Sequence, residues 1–294
     1  MQVSTRLFYD RAATAMGTLG AKTDTLQTQI ATGKRLAQAS DDSVAWTRLQ
    51  GLSRGTADAT VSASNLDLAA SVLAQADTTL DAIGSQLQRA SELAIKSRSG
   101  TQDGTAKAAI AAELDEIVAQ LVSLANTRDA RGEPLFGGRD GGAAVIANPD
   151  GSFTFATSLA SAIPTGNGQS VQPGDTAARL FAQSGGDTLA TIAGIAANLR
   201  AGTEVDETAA TALTDAGTQV TAVRTSLGAR AQRVEMDSAA LKQAGIDREA
   251  VRSGLEDTDI TATITELQKT MTILSATQAS FSKLQGLSLF DYLR

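Results

Sequence analysis

Chemistry in this chain would have to come from carboxylates, hydroxyls and lysines, because its 294 residues include no histidine and no cysteine. Their absence removes thiolate nucleophiles, disulfides, Cys/His metal centres and the side chain best suited to proton transfer near neutral pH. A carboxylate pair or a Ser-Lys dyad stays open in principle. The 32 acidic residues, however, are spread as they would be over solvated helix faces, and no compact cluster forms. The reading is of a protein that is not an enzyme and needs no cofactor or metal. A net charge of -7 argues against nucleic acid or an anionic membrane as partner, since both are bound through Lys and Arg. No apolar run approaches the ~20 residues that span a bilayer, and Met1 to Asp10 lacks the apolar core of a cleavable signal peptide.

What remains is recognition through apolar seams. Hydrophobic residues make up 42% of the chain and aromatics only 3%, so the apolar surface is Ala, Leu, Ile and Val, the usual material of helix packing. Residues Phe8, Ala12, Ala15, Leu19, Thr23, Leu26 and Ile30 step by three and four along one predicted helix, with Gly33 as its stop. Ser40, Asp41 and Asp42 then read as the N-cap and first-turn carboxylates of the next helix. The strictest register runs Leu66, Ala69, Leu73, Ala76, Leu80, Ile83, Leu87, Ala90 and Ala94. After a break at Ser99 to Thr105 the spacing resumes at Ile110, Leu114, Ile117, Leu121 and Leu124, which predicts an antiparallel pair.

The middle changes character. Gly137, Gly138, Gly141 and Gly142 end the helical pattern, and Val145-Ile146, Asn148-Pro149-Asp150-Gly151 and Phe153 to Phe155 spell a β-hairpin. This Gly-rich insert, expected to reach about Gln183 and to sit on the end of the helices, is too short for a large core of its own. Removing Ala143 to Gln183 is expected to be tolerated better than removing either terminus. Helical spacing returns at Leu189, Ile192, Ala196 and Leu199, then over Leu213, Ala216, Val220, Val223, Leu227, Ala231, Val234 and Leu241. A last helix carries Ile260, Ile264, Leu267, Met271, Leu274 and Phe281.

The expected fold is thus mainly α: an elongated antiparallel helical rod with coiled-coil-like terminal helices and a small β-rich insert. Residues 1–60 and 245–294 form a terminal helical assembly region, 61–135 and 185–244 the helical rod, and 136–184 the insert. An ordinary helical bundle would account for the periodicity equally well. The narrow terminal seams, rich in Thr and poor in large residues, favour packing in an assembly instead. On that reading Phe8, Leu19, Leu26, Ile30, Ile260, Ile264, Leu267, Met271, Leu274 and Phe281 are the candidate assembly interface.

Particular residues also resemble a known family. Ser4-Thr5, Thr32-Gly33-Lys34-Arg35 and Ser40-Asp41-Asp42 are similar to the amino-terminal pattern of the flagellin and hook-associated protein family. Asn126-Thr127 followed by Gly132, Leu135, Phe136, Gly137 and Gly138 resembles the segment that leads into its outer domain. The carboxyl end, Gln285-Gly286-Leu287-Ser288-Leu289-Phe290 and then Leu293-Arg294, looks like the junction members of the family rather than flagellin itself. The resemblance implies a secreted subunit of the bacterial flagellum, placed where hook meets filament and exported through the flagellar type III channel. The terminal helices are then expected to order on assembly. Implied partners are copies of itself, flagellin, a neighbouring hook-associated protein and a flagellar export chaperone that would bind Leu267, Met271 and Leu274. Leu87 to Ile95 also resembles the flagellin stretch read by the innate flagellin receptor, although the helical seam alone accounts for Leu87, Ala90 and Ala94. The alternatives are a bulk flagellin and a type III secreted helical effector.

Overall fold

The computed structural model describes residues 2–99, 102–138, 141–183 and 186–292, with side chains given for Leu7 and from Tyr9 to Lys283 within those ranges. The chain is mainly α. Helices α1 (Gln2–Thr32), α2 (Ser43–Ser97) and α3 (Gly104–Ala125) precede two hairpins. These are β1 (Val145–Ala147) with β2 (Phe153–Phe155), and β3 (Ile163–Gly166) with β4 (Gln169–Val171). Next come a short helix α4 (Ala177–Phe181), a minimal strand pair β5 (Ala182–Gln183) and β6 (Gly186–Asp187), and helices α5 (Thr188–Arg200), α6 (Glu207–Glu256) and α7 (Ile260–Tyr292). The chain divides into two compact units, residues 1–57 with 244–294, and residues 58–243.

In the second unit the strict register on α2 is the core. Leu66, Leu73, Leu80, Ile83 and Leu87 are at most 2% exposed and pack in one cluster with Ile110, Leu114, Ile117 and Leu121 of α3. The two helices run antiparallel, as the links from Arg89 to Glu113 and from Gln75 to the Arg128 carbonyl require. Asp103 starts α3 by accepting from the Ala106 N–H at 2.7 Å, and Asp187 starts α5 in the same way through Ala190 at 2.6 Å. Leu189, Ile192, Ala196 and Leu199 of α5 and Leu213, Ala216, Val220, Val223, Leu227 and Val234 of α6 close the same cluster.

The hairpin predicted from Val145 and Phe153 is present, with Val145 opposite Phe155 and Ala147 opposite Phe153. Its place differs from the expectation. The insert lies along the flank of α6 instead of on the end of the helices. Gln183 reaches the Ala212 carbonyl, Gln219 the Arg179 and Ala182 carbonyls, Arg230 the Gln172 and Gly174 carbonyls, and Arg233 the Gln169 amide oxygen. The reason is core size. Val145, Ile163, Val171, Leu180 and Phe181 are buried in the cluster that α2, α3, α5 and α6 share, because an insert this small cannot bury them against itself. Removing 143–183 would therefore strip the helices of packed side chains, and the expected tolerance does not follow.

Two motifs acquire structural jobs. Asn126 clasps β1, donating to the Val145 carbonyl at 2.9 Å and accepting from the Val145 N–H at 3.0 Å. Buried Asp129 accepts from the Arg131 and Glu133 N–H groups and from the Arg131 guanidinium, which fixes the turn leading to Leu135 and Phe136. In the Leu87 to Ile95 segment, Leu93 is 1% exposed and Arg89 is held by Glu113 at 2.7 Å, so helix packing accounts for both.

Candidate assembly interface

The first unit is built around α1 and α7, which pair antiparallel: Tyr9 meets Phe281 edge to face at 5.4 Å and Lys22 bonds Glu266 at 2.5 Å. The seam on α1 is Tyr9, Ala12, Met16, Leu19, Thr23, Leu26 and Ile30, all buried or half-buried. Its amino-terminal part is shifted by one position from the predicted stripe. Ala15 is exposed and Met16 takes its place, while the Phe8 side chain lies outside the described residues. A 3.6-residue turn drifts against a strict heptad, so over three heptads the partner helix decides which of two neighbouring positions is covered.

On α7 the predicted stripe separates into two faces. Leu267, Leu274 and Phe281 are half-buried toward α1, where they alternate with Thr263, Thr270 and Thr277. Ile260, Ile264 and Met271 point away and are 40–49% exposed, as is Ile273 at 44%. Threonines complete the seam: Thr23, already part of the predicted α1 stripe, and Thr263 and Thr270, which the predicted α7 stripe did not include, are at most 8% exposed. Each gives its hydroxyl proton to the carbonyl four residues back in its own helix, Leu19, Asp259 and Glu266. The threonine hydroxyls are thus satisfied without a bond across the seam, and beyond the Lys22–Glu266 pair and the Tyr9–Phe281 contact the two helices are held by a few methyls and leucines. Two helices joined this narrowly are marginal by themselves.

The Gly33 to Arg35 corner is tied to the end of α6 and to the link that leads into α7. Gly33, at φ +69°, ends α1 by donating to the Gln29 carbonyl at 2.8 Å, a left-handed conformation that a side chain would strain. Its own carbonyl then accepts from Thr258 at 2.9 Å, and the Arg35 N–H donates to the Glu256 carbonyl at 2.6 Å. Lys34 bonds the Glu256 carboxylate at 2.5 Å, and Arg35 donates to the Leu255 carbonyl at 2.9 Å. Ser40 is not the cap of α2. Asp42 fills that role toward Val44 and Ala45, while Asp41 turns back to accept from Ala37 and Gln38, which lowers its pKa. The second carboxylate wins because α2 begins only at Ser43, placing Asp42 at the cap.

The hydrogen bond from Lys34, aided by Arg252, holds Glu256 below its ordinary value of 4.5 against a partial desolvation that raises it. The folded corner therefore favours the charged form. Its contribution is complete above pH 4.5 and is lost as pH falls through the lowered value. Protection of the Arg35 amide in hydrogen exchange should accordingly decline under acid. In Glu256→Gln it should be lower at pH 7 and should not decline further. Equal acid sensitivity in the two proteins would show that another group is responsible.

Among the described residues there is no cluster of three potential metal ligands and no helix long and apolar enough to cross a membrane. Two family profiles match the chain: the bacterial flagellin N-terminal helical region over residues 3–140 and the C-terminal helical region over residues 210–293. Flagellar hook-associated protein 3 of Escherichia coli is 26% identical over 99% of both chains. The protein of the same name from Salmonella typhimurium is 24% identical over the full length of both. The fold is similar to the crystal structure of hook-associated protein 3 from Legionella pneumophila, with a TM-score of 0.63 at 14% identity over 70% of this chain and 98% of that one. With both helical regions matched in order on either side of residues 141–209, the chain belongs to the flagellin family, as a structural protein of the hook-associated protein 3 type and not an enzyme.

Proposed function

We propose that this flagellar protein is the subunit joining hook to filament, and that it assembles through α1 and α7 after type III export. The observation that carries the reading is the end-to-end match to relatives named hook-associated protein 3, insert included. The exposed Ile260, Ile264 and Met271 support the assembly half of it, since a marginal helix pair with an uncovered apolar flank gains stability by packing against further helices. Phe8, Leu19, Leu26, Ile30, Leu267, Leu274 and Phe281 complete the proposed interface, with flagellin, a hook-associated neighbour and other copies as partners. Immunogold labelling of detached flagella tests the reading. A band confined to the hook-filament boundary is expected, whereas label along the filament would mean a bulk flagellin.

The exposed stripe is a self-association hazard before export, and a helical chaperone laying a groove along α7 would cover it. Leu267 and Leu274 face α1 and Met271 faces away, so a chaperone using all three must displace α1. Calorimetry of a flagellar export chaperone with a 253–294 peptide should show binding that is lost when these three become Ser. Undiminished binding by the triple variant would remove them from the interface.

A further inference from the structure

The unit comprising residues 58–243 carries an apolar surface of its own. Between α2 and α6 lies a groove of about 750 Å³. Leu66, Leu73, Leu227 and Val234 form its floor and are at most 2% exposed, while Ala70, Ala74, Gly228 and Ala231 form exposed shoulders. A leucine floor under shoulders no larger than a methyl admits a helix that presents small residues. The rims are acidic. Asp67 stands on the α2 side and Glu235 on the α6 side, and neither has a hydrogen bond or ion pair among the described residues, whereas Asp77 farther along is held by Arg224. Lys242 lies at the end of the groove beyond Glu235.

The start of α2 has the complementary face. Val44 is 63% exposed, and a Cβ on Gly51 would meet nothing within 4 Å. At 100° per residue, Arg48 lies about 60° to one side of Gly51 and Arg54 about 60° to the other. Arg48 has no partner among the described residues, and Arg54 reaches only the Gln50 carbonyl of its own helix, at 3.4 Å. Exposed Asp58 follows Gly51 by seven residues along α2, the same interval that separates Glu235 from Lys242 on α6.

We propose that the Val44–Arg54 stretch of one copy lies in the α2–α6 groove of a second copy. Gly51 passes over the leucine floor, Arg48 and Arg54 meet Asp67 and Glu235, and Asp58 approaches Lys242. The charge order makes the incoming helix run parallel to the receiving α6. The groove is thereby a contact between copies, and the inference rests on the assembly reading above.

The absence of cysteine makes the test clean. Full-length chains carrying Gly51→Cys or Ala231→Cys are co-expressed in a strain lacking its own copy, and isolated flagella are treated with a short bismaleimide. Mixed flagella should give a crosslinked dimer, and flagella with either chain alone should give none. Asp67→Lys with Glu235→Lys in the receiving chain should lower the dimer yield roughly tenfold or more, and Arg48→Glu with Arg54→Glu in the incoming chain should restore it. If both chains are present in flagella and no dimer forms, or its yield ignores the charge reversals, the groove inference is wrong while the assembly reading stands. Absence of the chains from flagella would overturn both.

Discussion

Leu267→Asp is expected to abolish incorporation into the flagellum while leaving the 58–243 unit folded. Leu267 is half-buried against α1, between Thr263 and Thr270, which are 8% and 2% exposed. A carboxylate there would lie among threonine hydroxyls that already donate to their own helix and offer it no proton. Desolvating an unpaired charge costs several kcal/mol in such a position, which is on the scale of everything a narrow two-helix seam can contribute. The same charge at Gln268, one residue along and exposed, meets water and should be tolerated. Motility and immunoblots of sheared flagella, with a melting curve of the purified chain, check both variants. Normal motility in Leu267→Asp would take this residue out of the interface.

The largest effect on stability is expected at Gly174. A Cβ built there would stand 2.0 Å from the Leu135 carbonyl oxygen, an approach that no rotamer change relieves because the obstacle is backbone. Nor can the segment move away freely. The Gly174 carbonyl accepts from Arg230 at 2.7 Å, the Leu135 N–H is bonded to Thr127, and the Phe136 carbonyl accepts from Ala177 at 2.8 Å. Gly174→Ala should cost about 2–4 kcal/mol, near the upper end for overpacking. For a unit of this size the corresponding fall in Tm is roughly 5–15 °C. Gly84→Ala supplies the opposite sign: it lies inside α2 with nothing within 4 Å of a Cβ, so alanine should stabilise by up to about 1 kcal/mol. Thermal unfolding followed by circular dichroism measures both. Equal melting temperatures for Gly174→Ala and the parent chain would mean that Leu135 yields without cost.

These two expectations mark the division between what the residues alone carried and what folding in three dimensions decided. The stripe from Leu66 to Ala94 was legible because every member is a large or small apolar residue at unbroken three-four steps, and burial on a long helix demands that spacing whatever lies opposite. The hairpin was legible because Asn148-Pro149-Asp150-Gly151 has only a turn to form. Where two neighbouring positions satisfy the same period, as at Ala15 and Met16, the partner helix selects, and a single chain's periodicity carries no information about its partner. The same ambiguity hid the threonine layers of α7, although Thr23 of α1 stood in the predicted stripe. Thr counts as polar in a linear reading, but it enters a seam readily once its hydroxyl proton goes to the carbonyl four residues back. The flank position of the insert, the tie from Lys34 to Glu256 and the intolerance expected at Gly174 all depend on groups that sequence separation keeps apart. Local patterning governs which face of a helix is buried. Only tertiary packing, where loop closure has brought distant segments within bonding distance, decides what that face is buried against.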